Sequence, residues 1–237
     1  VDFYCNGGRD VPNGNTVEDY HKDWHGNYRQ LEANHAFIQW LFPIHEPGMN
    51  GQAQVLQRHE AETIRSDPKA MARFLASYKL ILDFYGCRLA DSTTGEVVRN
   101  EATWQERYQN LNRSGHNYLR ITRILKCLGE LGLEHYKAPL CRHFLREIFE
   151  YGQLRNMKDS CVNYYIETMR NPADLRDLRQ LVRTYDQTIP VPEGPELDDD
   201  DETIDLEQDT EPLSRGASTA GASAGAAGAA GAAGAAA

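Results

Sequence analysis

The histidines at positions 21 and 25 are spaced so that both imidazoles would lie on one face of a helix. Two histidines at this spacing bind zinc in metalloproteases, where a glutamate next to the first histidine activates the metal-bound water. Lys22 stands in that place here. A lysine cannot activate the water, and its charge beside the metal ion is unfavourable. We therefore predict no metal site and interpret this pair as part of an exposed helix face.

The other histidines and the five cysteines form no recognisable catalytic pattern. Cys141 and His143 are two residues apart, so on a helix their side chains point in different directions. Burial is the simpler explanation for that thiol. The sequence has no phosphate loop, dinucleotide loop or Cys-x-x-Cys pair. We predict no cofactor and a protein that binds a partner rather than catalyses a reaction, with an unrecognised enzyme as an alternative.

Basic side chains recur every third residue beside a strongly apolar helix pattern. Arg120, Arg123 and Lys126 form this series, and Arg113 precedes it. Such a face could bind a phosphate or an acidic segment of a partner protein. A solvated face, or pairing with glutamates later in the chain, accounts for the pattern about as simply. Both interpretations stay open.

An aromatic cluster precedes a proline-containing turn. Phe37, Trp40 and Phe42 lie close together, and Pro43 and Pro47 follow them. Large aromatic side chains at such a place commonly anchor a loop to the core. A ligand groove is the alternative.

Helix signals recur through the first 190 residues, whereas alternating strand patterns are scarce. The clearest helix begins with Asp67 as its cap and Pro68 at its first position, and continues to Gly86. A central helix is predicted from about Ser114 to Leu131, ending before Gly132. Its apolar face is expected to contain Leu119, Ile121, Ile124, Leu125, Leu128 and Leu131.

Two helices are expected nearer the start of the chain. Thr16 should cap a helix with an aromatic stripe of Tyr20, Trp24 and Tyr28. A second helix should cover residues 34–42 and end at Pro43. Further apolar stripes follow later, up to Gly152 and after Pro172. The sequence therefore predicts an all-α fold, a compact array of about seven or eight helices.

The negative charge is confined to the C-terminal part of the chain. Residues 1–192 contain 24 basic and 24 acidic residues, whereas residues 193–237 contain one arginine and 11 acidic residues. A neutral domain lacks the excess of basic residues that is typical of nucleic-acid binding, so none is predicted. No apolar run is long enough for a transmembrane segment. We predict a folded domain at 1–192 and a disordered tail at 193–237, acidic at first and then rich in Ala and Gly.

Three stretches resemble the conserved N-terminal domain of the opioid growth factor receptor family. Residues 34–48 read NHAFIQWLFPIHEPG and are similar to the family signature NHxxIQWLFPxxEPG. Residues 116–132 read HNYLRITRILKCLGELG and are similar to HNxLRITRILKSLGELG. The stretch WQERYQNLN at residues 104–112 agrees as well. The resemblance covers about residues 3 to 170.

The resemblance implies a non-enzymatic receptor for the opioid pentapeptide Met-enkephalin that restrains cell proliferation. It also implies an intracellular protein, nuclear or perinuclear and cytoplasmic, with peripheral membrane association. An enkephalin needs a carboxylate for its amine and an apolar pocket for its aromatic side chains. We expect Glu32, Trp40, Phe42 and Glu46 to supply them. The alternative is an intracellular adaptor that binds an acidic protein segment through Arg113, Arg120, Arg123 and Lys126.

Overall fold

The computed structural model describes residues 1–48 and 51–186, and within them the protein is mostly α-helical. The described residues form eleven α-helices, of which six contain nine or more residues and five are shorter. In chain order they are α1 (Asp2–Cys5), α2 (Val17–Asp19), α3 (Tyr28–Ala33), α4 (Ile38–Leu41), α5 (Arg58–Ser66), α6 (Pro68–Phe84), α7 (Trp104–Arg113), α8 (His116–Glu130), α9 (Lys137–Phe149), α10 (Lys158–Ser160) and α11 (Pro172–Tyr185). The predicted all-α class is confirmed.

Helix α6 begins as its sequence predicts. The Asp67 carboxylate accepts hydrogen bonds from the backbone N–H groups of Lys69 (2.8 Å) and Ala70 (3.3 Å), and Pro68 occupies the first turn, where its missing N–H costs nothing. The buried face of the helix packs on aromatic rings from other segments. These contacts place α6 within the core, and its buried large side chains include Phe74, Tyr78, Leu80, Ile81, Leu82 and Phe84.

Helix α8 also lies close to its predicted range, but one residue of its apolar face was assigned wrongly. Ile121, Leu125 and Leu128 are buried, whereas Leu119 is 70% exposed. Each residue advances about 100° around an α-helix, so Leu119 lies about 200° from Ile121 and faces away from the core. The chain leaves α8 at Gly132, whose φ of 82° suits glycine.

The segment after Thr16 is helical for a shorter distance than predicted. Thr16 and Asp19 form a capping box at the start of α2, but the chain then widens into a π-helical turn, Tyr20–Trp24. Gly26, with a φ of 74°, breaks the helix before α3 begins. The aromatic stripe is therefore divided between two helices.

The helix predicted over residues 34–42 is also shorter. The Asn34 side-chain oxygen accepts hydrogen bonds from the backbone N–H groups of Ala36 (2.9 Å) and Phe37 (3.3 Å). Such side-chain bonds favour a turn over a helix. Helix α4 consequently starts at Ile38 and has only four residues.

A small hairpin that was not predicted lies between α6 and α7. Strands β1 (Cys87–Asp91) and β2 (Glu96–Arg99) pair antiparallel, with Cys87 opposite Arg99 and Leu89 opposite Val97. The connecting turn ends at Gly95. Along β1, more buried residues alternate with exposed ones in the structure. The turn residues between the two strands are the signal of a hairpin that the sequence contains.

Shorter helical turns complete the described part of the chain. They are the 3₁₀ turns Glu134–Tyr136, Arg155–Met157 and Ile166–Thr168 and the π-helical turn Cys161–Tyr165. The predicted tail at residues 193–237 and the predicted boundary at residue 192 lie outside the described residues and stay predictions.

Candidate functional site

The four basic residues predicted as one partner-binding face occupy different environments. Arg120 is only 5% exposed and donates hydrogen bonds to the backbone oxygens of Leu31 (3.0 Å) and Asn34 (2.8 Å). It also donates to the Asn117 side chain (3.0 Å). Burial lowers the pKa of the Arg120 guanidinium. Its side chain is therefore a structural link between α8 and the α3–α4 segment, and the prediction that it lies on a partner-facing surface was wrong.

Arg123 and Lys126 contact the segment that follows α4. The Arg123 side chain donates to the backbone oxygen of Phe42 at 2.7 Å, and burial lowers its pKa. Lys126 donates to both carboxylate oxygens of Glu46, at 2.7 and 2.8 Å. Arg113, at the end of α7, is exposed. A continuous basic face is thus not formed.

Glu32 belongs to a polar network between α3 and the α7–α8 corner. Its carboxylate accepts hydrogen bonds from Asn110 (2.7 Å) and Asn117 (3.2 Å) and lies 2.8 Å from His116 Nε2. Burial raises the pKa of Glu32, but these hydrogen bonds outweigh burial and hold it below its usual range. The carboxylate is already occupied by groups of the protein.

Trp40 lines an open groove of about 420 Å³. The groove lies between α1, α4 and α5. Its apolar wall contains side chains from segments that are far apart in the sequence, among them Phe3, Trp40, Pro43, Leu56 and Ile64. Its polar wall contains Asp2, Arg9, Gln39, His59 and Glu60. A cavity of this size with mixed walls is typical of small-ligand sites.

Gln39 is the polar group in this groove that sequence reasoning missed. Its side chain is only 7% exposed, and its carbonyl oxygen Oε1 has no hydrogen-bond partner among the described residues. Gly48 makes room for this amide, because a Cβ atom at that position would lie 1.8 Å from Gln39 Oε1. An unpaired buried acceptor is costly, so a donor from a bound molecule would be favourable here. A polar residue between Ile38 and Trp40 was the available signal.

The four residues predicted to bind a ligand do not converge. Trp40 lies in the groove, but Phe42 is fully buried and packs on Phe74 in the core. Glu46 is exposed and pairs with Lys126, and Glu32 lies in the network described above. The groove carboxylates are instead Asp2 and Glu60. The Glu60 side chain is 12% exposed, accepts from the backbone N–H of Gln57 (2.8 Å), and lies 3.7 Å from the Val1 amine.

A sequence profile described as the opioid growth factor receptor (OGFr) conserved region matches residues 1–197. The chain belongs to this family. It is 47% identical over 178 residues to the human opioid growth factor receptor. It is 45% identical over 181 residues to the mouse opioid growth factor receptor-like protein 1, and equally so to the Xenopus tropicalis protein of that name. No solved structure matches the chain.

The matched segment is a minor part of these opioid growth factor receptor relatives. It covers 75–76% of this chain but 26% of the human receptor and 38% of the mouse receptor-like protein. The chain thus spans less than two-fifths of the relatives' length. Both relatives are named as receptors or receptor-like proteins, not as enzymes.

The structure of this family member also brings together a buried cluster that spacing did not reveal. His143 Nε2 lies 2.9 Å from the Tyr108 hydroxyl and 3.4 Å from Cys87 Sγ, so its thiol neighbour is Cys87 rather than Cys141. Burial raises the pKa of Cys87 to about 12 and lowers that of His143 to about 4. Both side chains are therefore neutral at physiological pH, and the thiol is not an activated nucleophile.

The histidine pair at positions 21 and 25 and the character of the helices can be examined in the described residues alone. His21 Nε2 lies 2.8 Å from Ser77 Oγ, while His25 is exposed. Residues 1–48 and 51–186 contain no group of three His, Cys, Asp or Glu side chains that could hold a metal ion. Nor does any helix in those ranges have the length and apolar character to cross a bilayer.

Proposed function

We propose that this protein is a non-enzymatic receptor that binds an opioid peptide, Met-enkephalin, in the groove beside Trp40. Gln39 carries the proposal, since this residue lines the groove beside Trp40 and its buried Oε1 has no hydrogen-bond partner among the described residues. Family membership supports it, because relatives of this chain are named opioid growth factor receptor. The relatives' names support receptor function, and restraint of cell proliferation by an intracellular, membrane-associated form is part of the same proposal.

The groove offers complementary groups for such a peptide. Gln39 Oε1 accepts a peptide N–H, and the apolar wall around Trp40 packs against an aromatic side chain of the ligand. The carboxylates of Asp2 and Glu60 attract the terminal amine. Glu46 and Glu32 lie outside the binding site proposed here.

A binding titration with three variants tests the site. Met-enkephalin with a fluorophore at its carboxyl end is titrated with the full chain, with a scrambled peptide as the control. We expect Gln39→Met to weaken binding about tenfold through loss of one hydrogen bond, without loss of stability, because the lost acceptor was unpaired. Trp40→Leu should weaken it at least as much. Glu46→Gln, outside the groove, serves as the matched control and should bind as the parent does.

Raising the salt concentration separates this site from a charge-led one. Binding in an aromatic groove should weaken only modestly between about 0.01 M and about 0.15 M salt, because a single amine–carboxylate attraction is screened while the apolar contacts are not. If Gln39→Met and Trp40→Leu are folded by circular dichroism and bind the peptide as tightly as the parent, the proposed location is wrong. If the parent binds the scrambled peptide equally well, the receptor proposal itself fails.

A further inference from the structure

A second groove, of about 340 Å³, lies along a different face of α5. Residues 58, 61, 62 and 65 follow the helical repeat and face this groove, whereas His59, Glu60 and Ile64 face the first one. Its walls are mostly charged. They consist of His45, Arg58, Ala61, Glu62, Arg65, Glu130 and Arg170.

The two α5 arginines are exposed and have no ion-pair or hydrogen-bond partner among residues 1–48 and 51–186. Arg58 and Arg65 are seven residues apart, which is two helical turns, so both lie on one face. Their Cα atoms are about 10 Å apart along the helix axis at 1.5 Å per residue. The groove therefore presents two positively charged side chains that start two helical turns apart on one face of α5.

Glycines at the end of α8 leave space for two of the arginine side chains. A Cβ atom at Gly132 would lie 3.3 Å from Arg65 Cδ, and one at Gly129 would lie 3.2 Å from Arg170 Cζ. Arg170 is held further by a hydrogen bond from its side chain to Glu130 at 2.6 Å. The Arg65 and Arg170 side chains thus each contact the protein along part of their length, although both residues are exposed.

The negative charge of the Glu130 carboxylate in this groove is already balanced by side chains of the protein. It accepts from Arg170, and its other oxygen lies 2.7 Å from His45 Nε2. The opposite nitrogen of that ring, Nδ1, lies 2.7 Å from the backbone oxygen of Leu56. Among the described residues that line the groove, the charges left for a ligand are then those of Arg58 and Arg65, opposed by Glu62.

We propose that this groove binds an acidic segment of a partner protein in an extended, polyproline II-like conformation. In that conformation residues three apart lie on the same side at about 9 Å. Their carboxylates can then pair with Arg58 and Arg65 together, and each pair is a charge-assisted hydrogen bond. An extended acidic segment matches this spacing without requiring the two side chains to converge on one small anion. This interaction is separate from the peptide groove and does not depend on it.

A peptide of about twelve residues that repeats Glu-Ala-Pro is the probe for this groove. It is labelled with a fluorophore and titrated with the full chain, and a Gln-Ala-Pro repeat is the neutral control. We expect binding of the Glu repeat that weakens strongly between about 0.01 M and about 0.15 M salt. Arg58→Gln and Arg65→Gln should each weaken it about tenfold. Arg29→Gln, an exposed arginine on α3 outside both grooves, is the matched control and should bind like the parent.

Three results would overturn the proposal. They are equal binding of the Gln repeat, unchanged binding by both folded groove variants, and displacement of the probe by an equal concentration of inorganic phosphate. The last result would assign the groove to a small anion instead. A Trp40→Leu variant should keep its affinity for the Glu repeat, so a failure here is distinguishable from a failure of the enkephalin proposal.

Discussion

At the scale of single residues, burial decides what a basic side chain in this protein does. Arg120 and Lys126 lie on the same helix and belong to the same sequence series. Arg120 follows Asn117 by three residues and precedes Ile124 by four, so it lies on the buried stripe of α8. Lys126 lies outside that stripe and pairs with Glu46 at the surface. Two basic side chains of one sequence series therefore give a core anchor in one case and an exposed ion pair in the other.

Replacing each of these two residues by methionine should separate the roles. Arg120→Met leaves the backbone oxygens of Leu31 and Asn34 without this donor, and we expect a loss of about 3 kcal/mol in unfolding free energy. Lys126→Met should cost less than about 1 kcal/mol, because exposed ion pairs contribute little. Urea unfolding followed by circular dichroism measures both values. Similar losses for the two variants would contradict the structural role of Arg120.

At the scale of elements, helices with strong local sequence signals were predicted correctly, whereas helices with weak signals were not. Helix α6 has a cap, a first-turn proline and a long apolar stripe, and it forms where predicted. Residues 34–42 lack such a start signal, and the Asn34 side chain forms a turn instead. The hairpin owes its place to packing, since a Cβ atom at Gly95 would lie 2.8 Å from Tyr136 Cα.

Alanine substitutions at two glycines test that packing. Gly14 and Gly95 have φ angles of 67° and 78°, so alanine is strained by about 1 kcal/mol at either position. Gly14 has open space around it, whereas Gly95 faces Tyr136. Gly95→Ala should therefore lower the unfolding free energy by at least about 1 kcal/mol more than Gly14→Ala. Equal losses in urea unfolding would show that the hairpin can move away from Tyr136 without cost.

At the scale of the whole molecule, several histidines are folded into places that disfavour their charged form. Burial lowers the pKa of His21, His116 and His143. For each of them the unfolded chain binds protons more readily than the folded one. Stability is then fully present above the unfolded pKa of about 6.5 and is lost as the pH falls towards the folded pKa.

His143 should dominate this acid sensitivity, because its pKa falls to about 4 and its ring is 9% exposed. Between pH 7 and pH 5 the parent should lose about 2 kcal/mol of unfolding free energy through this residue alone. His143→Gln keeps a polar side chain beside Tyr108 but does not titrate, so its loss over that range should be smaller by the same amount. Urea unfolding at the two pH values measures it, and parallel losses would contradict the assignment.

The sequence by itself determined the fold class, the family and the strongest helices. Caps, prolines and apolar repeats act within a few residues, so α6 and α8 can be read from the chain directly. Family membership follows from long runs such as residues 116–132, which need no tertiary information.

Only the tertiary structure decided which polar groups are buried together and where the grooves lie. Arg120 bonds to the backbone of Asn34, 86 residues away, and His143 meets Tyr108 and Cys87 rather than its neighbour Cys141. The Trp40 groove likewise needs α1, α4 and α5 side by side. Spacing along a helix specifies a face but not what packs against it, and contacts between distant segments depend on how the whole core is filled.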